Sequence, residues 1–127
     1  MALAYSVMGR LQSDDHPVLR KLRALTESLP EGCEVEAWGH PTFRAGKKMF
    51  AVFGSHEGEP SMSVKQTLPE QQVLLEEPGF YAPPYVAKQG WIGIYVERVP
   101  WRRIEALLLV GYRHVALKRM LKALDGE

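Results

Sequence analysis

Between Cys33 and Gln66 the sequence is patterned for a sheet that keeps folding back on itself. Cys33-Glu-Val-Glu-Ala-Trp38 alternates, with Glu34 and Glu36 on one side and Val35 and Ala37 on the other. Gly39-His-Pro41 forces a turn, Thr42–Ala45 reads as a short strand, and Ala45-Gly-Lys47 as a tight hairpin. Lys48–Phe53 is apolar on both faces, as a central strand is. After a polar loop, Gly54–Pro60, alternation resumes in Ser61–Gln66 with Met62 and Val64 inward. Strands joined by connections this short pair antiparallel.

Helical patterns bracket this stretch. Asp15 or His16 can cap a first helix that has Pro17 in its opening turn, Val18, Leu22, Leu25 and Leu29 on one face, and Pro30-Glu-Gly32 at its end. Thr67-Leu-Pro-Glu70 has the spacing of a capping box, in which the Thr hydroxyl and the Glu carboxyl satisfy each other's backbone N–H groups. Phe80–Tyr85 carries two prolines and can only be extended or turned. Trp91–Val96 alternates again, with Ile92, Ile94 and Val96 opposite Trp91, Gly93 and Tyr95. From Pro100 a last, long helix is expected to run to about Leu121 or Leu124. The pattern gives a helix, three or four strands, a helix, one or two strands and a last helix, with α-β3-α-β2-α as the order adopted. It describes a two-layer α+β domain with a largely antiparallel sheet of about five strands and three helices.

Composition narrows the class further. With 127 residues and 46% hydrophobic content, the chain suits one domain spanning residues 1–127. Its single cysteine, Cys33, rules out an internal disulfide and fits a reducing compartment, so a cytoplasmic location is expected. Residues 1–12 lack the basic and apolar regions of a signal peptide and read as a flexible arm or a short added strand. The net charge of +1 hides an asymmetry: residues 80–122 hold eight Lys or Arg against only Glu97 and Glu105. Such a segment can raise a local positive field on a nearly neutral protein.

Several residues together resemble the MmcQ/YjbR-like family. They are Trp38-Gly-His-Pro-Thr-Phe43, Gly46-Lys-Lys-Met-Phe-Ala51, Ala82-Pro-Pro-Tyr85 with Lys88-Gln-Gly-Trp91, and Gly111–Arg119, and the resemblance covers roughly residues 15–122. It implies a fold similar to CyaY-like and secretion-chaperone-like α+β proteins, and a "double wing" DNA-binding motif. Where the family pattern often has Pro before its final Lys-Arg pair, this chain has Leu117, so a helix without a break is expected there. An iron-donor role by analogy with the CyaY-like fold would call for an acidic first helix, whereas this one carries Arg20, Lys21 and Arg23.

No catalytic or metal constellation stands out. His16, His40, His56 and His114 are far apart and share no ligand spacing with Cys33 or a carboxylate. Glu34 and Glu36 look like exposed alternation rather than a buried acid–base pair. A non-enzymatic binding module without cofactor is therefore expected, and the family resemblance together with the basic C-terminal third implies DNA as its partner. Its nucleic-acid-binding residues would be Arg44, Lys47, Lys48, Lys65, Lys88, Arg102 and Arg103. The alternative is a protein-interaction or homodimerisation module using the aromatics Trp38, Tyr85, Trp91 and Tyr95. A small-ligand pocket near Trp38, Pro83 and Tyr85 is a third reading, and it requires a cavity there.

Overall fold

A computed structural model of the protein describes residues 16–126. The arm expected over residues 1–12, and Asp15 as a cap, lie outside the described residues. His16 does cap the first helix, α1 (Pro17–Ser28): its Nδ1 accepts the Val18 N–H at 3.1 Å. Four strands follow, β1 (Gly32–Ala37), β2 (His40–Ala45), β3 (Lys48–His56) and β4 (Glu59–Val64), and then helix α2 (Leu68–Leu74). Next come the short strand β5 (Phe80–Tyr81), a 3-10 turn (Ala87–Gln89) and β6 (Ile92–Tyr95). Helices α3 (Trp101–Val115) and α4 (Lys118–Asp125) complete the described chain. The strands form one sheet in the order β1-β2-β3-β4-β6-β5, with every neighbouring pair antiparallel.

The α+β class and the antiparallel sheet agree with the sequence pattern, but the count does not. The described residues form six strands and four helices rather than about five and three. The turn expected at Gly39–Pro41 falls instead at Trp38-Gly39, a two-residue hairpin that leaves Trp38 out of β1 and takes His40 and Pro41 into β2, and most of the loop expected over Gly54–Pro60 is strand, with only Glu57-Gly58 turning. The extra helix arises where a continuous one was expected. Ala116 and Leu117 are extended, with ψ of 144° and 160°, and the chain breaks there without a proline. The break brings Met120 into the core at 2% exposure and lets Arg119 reach Glu31 at 2.7 Å.

The capping box at the start of α2 is complete. Thr67 Oγ1 accepts the Glu70 N–H, and the Glu70 carboxylate accepts the Thr67 N–H at 2.8 Å. Burial pushes the Glu70 carboxyl up, but the Thr67 hydroxyl and His114 outweigh it and leave its pKa lowered. Gly111 lets α3 lie close on the sheet. A Cβ at that position would sit 2.8 Å from the Lys65 carbonyl oxygen.

The helices pack on one sheet face, onto Phe43, Phe53, Met62, Ile92 and Ile94, none more than 1% exposed. Phe50 belongs to this core, although alternation from its neighbours puts it on the other face. A bulge explains the difference: Phe43 pairs with Ala51 and Arg44 with Met49, which leaves Phe50 unpaired between them. Its ring meets Tyr112 edge-on, with centroids 5.7 Å apart. The opposite face carries Thr42, Val52, Gly54, Ser61, Ser63 and Gly93 by strand register.

Candidate functional site

Small residues on that second face leave room for a groove of about 600 Å³. Its floor includes Val52, Gly54, Ser61 and Ser63. The Trp38 turn lies on one side, and Pro84, Tyr85 and Val86, from the proline-rich segment, on another. Of the residues named for a pocket, Trp38 and Tyr85 line this groove, while Pro83 is buried and Pro84 takes its place.

The two rim aromatics are held in an unusual way. Trp38 and Gly39 occupy the centre of the β1–β2 hairpin with φ of 54° and 78°. A turn of this kind needs left-handed backbone at both positions and is served most cheaply by Asn-Gly. Placing tryptophan there costs about 1 kcal/mol. Tyr85 is also left-handed, with φ of 69°. Both rings point largely into solvent, Trp38 being 78% and Tyr85 98% exposed. Bulky residues in strained backbone, presenting bare rings beside a cavity, are the kind of outlier that gathers at ligand sites.

The other two aromatics expected on this face are buried. Trp91, 5% exposed, lines the groove, and Tyr95, 8% exposed, lies beneath its neighbour Tyr81. Tyr81 and His56 form a flat stack, with centroids 3.9 Å apart and ring planes 13° from parallel. Gly93 makes this possible, since a Cβ there would lie 2.3 Å from the Tyr81 ring. The Tyr81 hydroxyl donates to Ser61 Oγ at 2.9 Å, and the Tyr95 hydroxyl lies 2.8 Å from His56 Nδ1. Loss of solvent, followed by nearby negative groups including Glu57, pushes both tyrosine hydroxyls above their ordinary pKa, so they stay protonated at neutral pH.

Of the seven expected cations, the fold gathers five. Strands β2 and β4 end, and β3 and β6 begin, at one edge of the sheet. That edge brings together Arg44, the Lys47-Lys48 tip, Lys65 and the turn carrying Lys88. Lys65 Nζ donates to the Gln89 carbonyl at 2.7 Å, and Arg44 bonds Thr42 Oγ1 and, at 3.5 Å, the Lys47 carbonyl. Among the described residues none of these five has a carboxylate partner. Arg102 and Arg103 lie elsewhere, because β6 runs away from this edge before α3 begins. Arg103 is paired with Glu77 at 2.8 Å, and Arg102 is exposed at the same helix start. The cationic end of α3 is thus on the helix layer, about 12 Å along the helix from Gly111.

Residues 84–91 are tied down from behind. The Gln71 side chain donates to the carbonyls of Ala87 and Trp91 at 2.8 and 2.7 Å. His56, Tyr81 and Met49 border the groove but were not singled out from sequence. Met49 fell in a segment apolar on both faces and His56 in an expected polar loop, and Tyr81 gave no signal, because its role depends on Gly93 twelve residues away. Among the described residues no three His, Cys, Asp or Glu side chains are grouped as a metal would need. Cys33 is exposed, with its Sγ 3.5 Å from the Gly46 carbonyl. No described helix is long and apolar enough to cross a membrane.

One covered sheet face and one open, grooved face define a two-layer α+β domain. The particular family follows from the sequence: the YjbR family model matches residues 27–114, and the chain belongs to that family. A Deinococcus radiodurans protein with a DUF419 domain is similar in fold, with a TM-score of 0.68 and 19% identity over 84% of this chain and 87% of its own. A Pseudomonas syringae protein is also similar, with a TM-score of 0.64 and 14% identity over 76% of this chain and 97% of its own. At these identities they speak to the fold alone. No curated protein matches the chain.

Proposed function

We propose that this protein is a non-enzymatic, sequence-tolerant nucleic-acid-binding module, with DNA as its first candidate partner, and that it works in the cytoplasm. The observation that carries this reading is the gathering of Arg44, Lys47, Lys48, Lys65 and Lys88 at one sheet edge without carboxylate partners, beside the exposed ring of Tyr85. Cations answered by carboxylates, such as Arg23 with Glu34 or Arg113 with Asp125, have already spent their charge within the fold. Those at the edge remain free to meet phosphate oxygens.

The reading makes a quantitative claim about salt. If four or five phosphates are neutralised, log affinity for duplex DNA falls against log salt with a slope of about −3.6 to −4.5. Replacing Lys65 and Lys88 by Gln lowers that slope by about 1.8. Fluorescence anisotropy with a labelled oligonucleotide measures both. A flat salt response, or no binding of either duplex or single-stranded DNA at low salt, overturns the proposal.

A second reading draws on the 78% and 98% exposure of Trp38 and Tyr85. Rings this bare suit a protein contact, including one with a second copy of the chain. Light scattering tests the homodimer form: a dimer that Trp38→Ala converts to monomer supports it, and a wild-type monomer at high concentration removes it.

A further inference from the structure

We infer that the groove takes an unpaired nucleobase, so that the natural ligand is a single strand rather than a duplex. The base stacks on Trp38 or Tyr85, and its phosphates lead out toward Lys65 and Lys88. The inference deepens the nucleic-acid reading and rests on it.

Three features support a base. The groove, at about 600 Å³, falls within the range of small-molecule sites and is large enough for a nucleoside. A duplex keeps its bases stacked inside, so rings standing free at a groove have nothing flat to meet on it, whereas unpaired bases stack on such rings. The floor offers hydrogen-bonding groups of mixed character in Ser63 and His40, with Ser61 Oγ and His56 Nδ1 already engaged by the Tyr81 and Tyr95 hydroxyls. Donors and acceptors so arranged accept any base edge without selecting one.

Charge then orients the strand. Lys65 and Lys88 stand at the strand end where β6 begins, next to the Tyr85 segment, while Glu57 and Glu59 lie at the opposite end together with the Trp38 turn, Glu59 held by Arg98, so a strand that reaches both rings runs the length of the groove. An anionic backbone leaves by the first end and is repelled from the second. The strained rim agrees with this picture. A chain that needed only a tight turn would carry asparagine at position 38, and the tryptophan adds a stacking surface at the expense of backbone comfort.

The test measures affinity of the intact protein for a labelled oligodeoxythymidine of about 16 nucleotides, for a duplex of equal length, and for thymidine monophosphate as competitor. The strand binds more tightly than the duplex. Trp38→Ala and Tyr85→Ala each weaken strand binding roughly 5- to 100-fold. Neither changes the salt slope, whereas Lys65→Gln with Lys88→Gln lowers it by about 1.4. Both rings are mostly in solvent, so the variants keep the wild-type circular dichroism and melting temperature. Equal strand and duplex affinity, with the two ring variants unchanged, overturns the base groove and leaves the nucleic-acid reading standing. A mononucleotide that binds as tightly as the strand overturns it in favour of a free nucleotide. No binding to any probe removes both.

Discussion

The two faces of this sheet are made by the same strands and put to opposite uses. Facing the helices, Phe43, Phe53, Met62, Ile92 and Ile94 exclude solvent almost completely. Facing away, Thr42, Val52, Gly54, Ser61, Ser63 and Gly93 alternate with them and leave a hollow. Strand period makes this division sharp, since a one-residue step moves a side chain from one face to the other. The covered face is filled for stability. On the open face Trp91, Tyr81 and Tyr95 are packed down, and the two bare rings, Trp38 and Tyr85, stand at the rim in backbone that disfavours them. Residues kept where they are locally unfavourable point to a task other than folding.

The largest expected effect breaks the covered face. Phe53→Ala removes a fully buried ring and costs about 3–5 kcal/mol in denaturant unfolding. Tyr85→Ala, on the open rim, stays within about 0.5 kcal/mol of wild type. A comparable loss from both would erase the distinction between the faces.

Glycine substitutions sharpen it. Gly111→Ala destabilises by about 1–2 kcal/mol even though alanine is the better helix former, because the new methyl meets the Lys65 carbonyl, which is backbone. Gly93→Ala meets the Tyr81 ring instead, and that ring can swing aside. It costs less stability, and it disrupts the Tyr81–His56 stack and weakens binding.

Trp38→Asn separates folding from function. Thermal unfolding is expected to show a gain of about 1 kcal/mol as the turn loses its strain, while strand affinity falls. A stability loss would mean that the indole packs favourably in the free protein.

The smallest effect concerns acid. Hydrogen bonds and charge from Arg119 hold Glu31 below its ordinary pKa, and Arg113 does the same for Asp125. A carboxylate with a depressed folded pKa stabilises above its unfolded value and loses that contribution as pH falls through the folded one. Stability therefore declines as pH drops below about 4. Glu31→Gln reduces that decline slightly, since exposed pairs contribute little. Lys65→Gln with Lys88→Gln leaves it unchanged, because those cations have no carboxylate partner among the described residues. Urea unfolding at a series of pH values checks both.

Much of the fold was legible because its determinants are local. Pro17, the Thr67–Glu70 box and the alternation of β4 and β6 each act within a few residues. What was missed depended on contacts distant in sequence. Phe50 entered the core through a bulge set by pairing with β2, and the final helix broke so that Met120 could reach the β2–β3 hairpin. At the candidate site, Arg44, Lys47 and Lys48 from one hairpin, Lys65 and Lys88 came from three separate segments, and antiparallel register brought them to one edge. Arg102 and Arg103 look equivalent in sequence, and only the direction of β6 sends them to the other end. The groove was least legible, because an empty volume is made by small residues that carry no signal of their own.

The most direct test of the open face is a titration of isotope-labelled protein with a single-stranded oligonucleotide, followed by amide and indole NMR shifts. The account predicts that the Trp38 indole and the amides of Ser61, Ser63, Lys65 and Lys88 move together and saturate, while the Trp101 indole on the helix layer stays still. Shifts confined to α3 and α4, or none at all, would contradict it.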